Sequence, residues 1–81
     1  MDICRAEAIC KYIKDETQID WQYMTDDSIV LQMNNISITL DYEENFCRIH
    51  HHWTLLKGFD FENLHDTKAC ANLILNYLNT V

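Results

Sequence analysis

Residues 29–42 read IVLQMNNISITLDY, and this stretch decides the fold. Apolar residues alternate with polar ones on both sides of a central Asn34-Asn35 pair. Period-two alternation is the signature of a strand with one covered and one wet face. Asn tolerates the left-handed backbone that tight hairpin turns require. With Asn34-Asn35 as a two-residue turn, Met33 faces Ile36, Leu31 faces Ile38 and Ile29 faces Leu40. All six apolar side chains then share one face, an agreement that a one-residue slip would destroy.

Working outward, the same period predicts a strand over residues 19–24, with Ile19, Trp21 and Tyr23 on the apolar face. A loop over Met24–Ser28 aligns Tyr23 with Ile29 and Trp21 with Leu31, leaving Met24 and Val30 outward. A single fourth strand is expected over Cys47–Leu55 after a loop at Glu43–Phe46. In that register Tyr42 faces Cys47, Leu40 faces Ile49 and Asp41 meets Arg48 across the ladder. His51 and Trp53 fall on the apolar face, and His50 and His52 on the outer one. Both tryptophans are therefore expected in the core.

Helical spacing brackets these strands. Ile3, Ala6, Ile9, Cys10 and Ile13 recur at three- and four-residue intervals behind Asp2, a capping residue, and the helix is expected to end near Asp15–Thr17. Cys70, Leu73, Ile74, Tyr77 and Leu78 form a second stripe, in a helix starting between Asp60 and Asp66, with Phe59 and Phe61 pinning the connection. Leu56 and Leu75 depart from the apolar parity of their elements. The order α-β-β-β-β-α predicts a two-layer α+β domain over residues 1–81: a four-stranded antiparallel meander covered on one face by two helices.

The 81 residues carry 13 acids and 6 bases, a formal charge of −7. The excess is confined to residues 1–44, where ten acids meet three bases; residues 45–81 hold three of each. A chain so poor in positive charge is not expected to bind DNA or RNA directly, since phosphate contact needs Lys and Arg. No apolar run approaches the ~20 residues that span a bilayer, and the charged N-terminus lacks a signal-peptide core. The expected setting is the cytoplasm or another soluble intracellular compartment.

Chemistry-bearing motifs are sparse. Cys4, Cys10, Cys47 and Cys70 form no CxxC pair, and most read as small buried hydrophobes. Cys47 and His51 lie roughly 13 Å apart along a strand, too far for a catalytic contact. His50 and His52, at i,i+2 on one strand face, are the only candidate metal ligands, and a zinc site needs further donors than these. No cofactor is expected. The informative set is Asp20, Asp26, Asp27, Asp41, Glu43 and Glu44, which outward parity and turn positions place on the surface. Carboxylates so arranged suit a basic protein surface, and the leading expectation is a noncatalytic protein-binding module, an inhibitor or adaptor. Three alternatives stand beside it: a nucleic-acid mimic that inhibits a nucleic-acid-binding protein, a structural homodimer, and a metal-dependent enzyme built on His50 and His52.

Overall fold

The chain runs from helix into extended structure and back to helix. In a computed structural model describing residues 1–80, the elements are α1 (Ile3–Glu16), β1 (Trp21–Met24), β2 (Ser28–Met33), β3 (Ile36–Asp41), β4 (Phe46–His51), β5 (Thr54–Asp60) and α2 (Thr67–Leu78). Val81, which at helical spacing would extend the stripe of Cys70, Leu73, Ile74, Tyr77 and Leu78, lies outside the described residues. The sheet is an antiparallel meander in the order β1-β2-β3-β4-β5, with both helices packed on one face. This is the α+β class the alternation predicts. No helix among the described residues is long and apolar enough to cross a membrane.

The helices begin where their caps dictate. Asp2 accepts the Arg5 N–H at 2.8 Å, and Asp66, not Asp60, accepts the Lys68 N–H at 3.1 Å. Each satisfies one of the donors left open in a first helical turn. Ala6, Ile9, Cys10 and Ile13 of α1 meet Cys70, Ala71 and Ile74 of α2 over Ile29, Leu31, Ile38, Leu40, Cys47 and Ile49 of the sheet. Phe61 fills the β5–α2 connection. The α2 stripe is rotated relative to expectation, since Leu73 is exposed while Leu75 packs on the core. Arg5 ties the first turns of the two helices together: its guanidinium donates to Leu64 O and lies 3.5 Å from Cys70 Sγ.

The β2–β3 register is the one read from Asn34-Asn35, with Met33↔Ile36, Leu31↔Ile38 and Ile29↔Leu40. Asn34 takes the left-handed backbone, φ 52°. The other joints depart from expectation. β3 and β4 pair two residues out of the expected register, as Leu40↔Cys47 and Thr39↔Arg48, so parity survives but the loop becomes Tyr42–Asn45. Two hydrogen bonds and one left-handed residue shape that loop: Asp41 accepts the Glu44 N–H at 2.9 Å, Tyr42 N–H continues the β2–β3 register by donating to Asp27 O at 3.0 Å, and Asn45 sits at φ 54°.

The single strand expected over Cys47–Leu55 is instead a hairpin, and the sheet has five strands. His52 adopts φ 56° and its N–H donates to Asn35 O at 3.0 Å, which turns the chain at His52-Trp53. An irregularity in the β4–β5 pairing falls between Ile49 and His50. Gly58 lies within β5, where the Phe46 ring occupies the space a side chain would need: a Cβ would meet Phe46 Cζ at 2.8 Å. A β-branched residue is poorly tolerated at positive φ. His52 already bears the Cβ penalty of this region, so His52→Val adds the crowding of a second γ-branch and is expected to cost roughly 0.5–1.5 kcal/mol, whereas His51→Val, on extended backbone, is expected to cost far less. Urea midpoints of the two variants check this, and equal midpoints would contradict a strained turn.

Candidate functional site

The β1–β2 joint determines what the open sheet face presents. The expected long loop is in fact a tight Asp26-Asp27 turn. Thr25 N–H donates to Ser28 O at 2.9 Å, Ser28 N–H donates to Thr25 Oγ1 at 3.1 Å, and the Asp27 carboxylate accepts both the Thr25 and the Ser28 hydroxyls at 3.0 Å. The register is Tyr23↔Val30 and Trp21↔Gln32, one residue from the expected one. One residue inverts a strand. Trp21 and Tyr23 consequently leave the core parity and stand on the uncovered face, stacked with ring centroids 5.0 Å apart. Trp21 is 54% exposed, and Trp53, at the β4–β5 turn, is 98% exposed. Neither tryptophan is a core residue.

Register rows run across this open face. One holds Trp21, Gln32, Ser37, His50 and Leu55; the next holds Tyr23, Val30, Thr39, Arg48 and Gly58. Val30 is outward by parity, as expected, yet buried; Met24 is exposed, as expected, but from the helix-facing parity, opposite Ile29. The Arg48 guanidinium sits 4.7 Å over the Phe46 ring and 4.0 Å from Asp41 Oδ2. Toward the Asn34-Asn35 end, Tyr23, Gln32, Ser37, His52 and Trp53 border a shallow cleft.

The β1–β2 and β3–β4 turns lie at the same end of the meander, joined by Tyr42, whose hydroxyl donates to Asp26 O at 2.9 Å. This gathers Asp26, Asp27, Glu43 and Glu44, all exposed, at one pole. The Tyr42 hydroxyl pKa is raised, by desolvation first and then by the charges of Glu43, Asp27, Asp26 and Asp41. Asp41 belongs to this pole but is buried, and its carboxylate is engaged by the Glu44 N–H and Arg48. It is a fastener of the turn, not a surface group. Asp20 lies at the opposite end, accepting the Asn34 N–H at 2.9 Å.

The histidines do not form the expected i,i+2 pair on one strand. β4 ends at His51, and His52 is in the turn, its ring 4.5 Å from that of His51 in an edge-to-face arrangement. His51, expected inward, is exposed at the strand end. His50 and His52 still border one cleft with Ser37 and Trp53. Among the described residues no three His, Cys, Asp or Glu side chains converge as a metal set. Cys10, Cys47 and Cys70 are free, buried thiols whose pKa values burial pushes up, Cys10 to about 12. Protonated thiols of this kind are poor nucleophiles.

The aromatic pair on the open face was not identifiable as surface from alternation, because Trp and Tyr match core and interface equally well. The usable signal was TDDS at 25–28, whose hydroxyl–carboxylate pattern favours a tight turn over a loop. No protein-family model, curated protein or solved structure matches the chain.

Proposed function

We propose that this protein is a noncatalytic protein-binding module that engages a basic protein surface and acts by occupying it. The observation that carries the reading is the pairing of exposed aromatic side chains with a rim of carboxylates. Trp21 and Tyr23 stand stacked on the uncovered sheet face, and Asp26, Asp27, Glu43 and Glu44 gather at its end. Trp and Tyr are enriched among residues that dominate binding energy, because they bury large area with few rotatable bonds. Carboxylates at the rim steer approach and select a partner of opposite sign, while contributing less to final affinity. Asp20 belongs to the same rim at the far end of β1, and Asp41 supports it from inside. An inhibitor or adaptor of a nucleic-acid-binding protein is one form this module can take, with carboxylates competing where phosphates would sit.

The test is binding of a captured basic partner by the wild type and by a triple variant, Asp26→Lys, Glu43→Lys and Glu44→Lys. Asp27 is left intact because it holds the turn hydroxyls. The triple variant is expected to bind about tenfold more weakly at low salt, the difference shrinking as the Debye length falls to ~8 Å near 0.15 M. Equal affinity for both proteins, unchanged by salt, would refute charge recognition.

A further inference from the structure

The two edges of the sheet are not alike. β5 carries Lys57, Gly58 and an irregular pairing with β4, features that discourage further strands. β1 reads Trp-Gln-Tyr-Met, with no charge and no proline, and all four residues are exposed. Its hydrogen-bonding direction follows from the turn. Thr25 N–H donates to Ser28 O, so Thr25↔Ser28 is a bonded pair. Bonded and non-bonded pairs alternate in an antiparallel ladder. Tyr23 and Trp21 therefore spend their main-chain groups on β2, and the N–H and C=O of Gln22 and Met24 point outward at the edge.

Space lies beside that edge. α1 packs over β2 and leaves the helix-facing side of β1 uncovered, where Gln22 meets a groove lined by Cys4, Ala8, Lys11 and Lys14 of the helix. The groove also contains Glu7 and Asp15, so its two signs balance and oppose no incoming chain. The strand is bracketed by carboxylates: Asp20 precedes it, and Asp26 and Asp27 follow it. A second copy laid antiparallel on this edge, with Tyr23 on the twofold axis, would set Asp20 against Asp26 of the other copy, a like-charge clash. A strand with a basic residue at each end meets opposite charge at both.

We propose that β1 is a strand-addition edge whose occupant is an extended segment of a basic protein, apolar at its centre and flanked by Lys or Arg, paired antiparallel to Trp21–Met24. The segment's main chain bonds Gln22 and Met24. Its alternate side chains lie beside the Trp21–Tyr23 stack on the open face, and the others enter the groove against α1. Strand addition of this kind draws affinity from main-chain bonds and selectivity from alternate side chains. The inference rests on the proposed recognition of a basic partner and specifies its geometry.

The probe is the peptide Lys-Val-Thr-Val-Thr-Val-Lys, whose lysines are spaced to oppose Asp20 and Asp26 when its threonines oppose Gln22 and Met24. Methylating the two threonine amide nitrogens removes the donors that face β1, and methylating two valine amides removes donors that face away. Binding is followed by NMR, together with hydrogen exchange at Gln22 and Met24. The unmodified peptide is expected to bind and to slow exchange at both amides. Threonine methylation should weaken binding roughly five- to tenfold per lost bond, and valine methylation should weaken it little.

Equal binding of both methylated peptides, or no binding of the unmodified one, would overturn strand addition. So would concentration-dependent protection of Gln22 and Met24 without peptide, which would place a second copy on the edge. Salt-sensitive binding that ignores methylation would overturn strand addition and leave the basic-partner reading standing. A peptide with Glu at both ends that binds as tightly and protects the same amides would support strand addition and remove the charge reading.

Discussion

Phe61→Ala is expected to destabilise the domain by about 3–5 kcal/mol. Phe61 is the largest fully buried side chain, 1% exposed, and its ring lies 6.2 Å from that of Phe59 in a stacked arrangement. It fills the joint where β5 hands over to α2, and the main chain there is already committed: Phe61 N–H donates to Asn45 O at 2.7 Å and Phe61 O accepts the Leu64 N–H at 3.1 Å. A backbone so fixed cannot collapse into the void, so the loss includes cavity as well as transfer. An 81-residue domain has a total stability of roughly 4–12 kcal/mol by the usual per-residue range. The variant should therefore be largely or wholly unfolded in mild denaturant. Leu73→Ala, at an exposed position of α2, is the contrast and should change stability by about 0.5 kcal/mol or less. Urea unfolding of the two variants decides the matter; similar midpoints would mean that Phe61 does not organise the core.

Alkali is expected to unfold the protein through its buried thiols. Burial raises the pKa of Cys10 to about 12, raises Cys47 further, and raises Cys70 against the opposing charge and hydrogen bond of Arg5. In the unfolded chain a thiol titrates near ~8.5. Above that pH the unfolded state binds fewer protons than the folded one, so the stability from a protonated burial is complete below the unfolded pKa. It is lost progressively as pH rises toward the folded value. For Cys10 the loss is about 1.4 kcal/mol per pH unit across that window. Denaturation under reducing conditions should show stability falling steeply above about pH 9. Cys10→Ala should start lower at neutral pH and fall less steeply, its curve converging on the wild type. Parallel curves would exclude the thiol as the titrating group. The same burial predicts that only the exposed Cys4 is alkylated in the native protein.

Much of the architecture was legible from residue order. Ile29–Tyr42 carried the central hairpin and its register because both inward runs meet at an Asn pair that accepts the turn. Asp2 and the Ile3–Ile13 spacing announced α1, and Asp66 was one of two caps available for α2. The hairpin at His52-Trp53 was hidden because HHWT contains neither Gly nor Asn, and His at positive φ is held there by a bond to Asn35 from another turn.

The candidate site was legible in its charges and not in its aromatics. Asp26, Asp27, Glu43 and Glu44 stand in turns, and turns are on the surface wherever the sheet goes. Trp21 alternates as a core residue would, yet stands outward because the Asp26-Asp27 turn sets β1 one residue away. Asp41 has the parity of a surface acid, yet the neighbouring turn claims its carboxylate.

Residue order by itself determined the two-layer α+β class, the inward set of β2 and β3, the cap of α1 and the concentration of negative charge in the first half. These follow from periods and local hydrogen bonds, which short segments express on their own. Tertiary structure alone decided which aromatics are buried, how many strands the sheet has and which edge stays open. Alternation separates two faces without naming the covered one. The placement of α1 over β2 leaves β1 at the rim, and the pairing set at the Asp26-Asp27 turn gives its rings to the uncovered face.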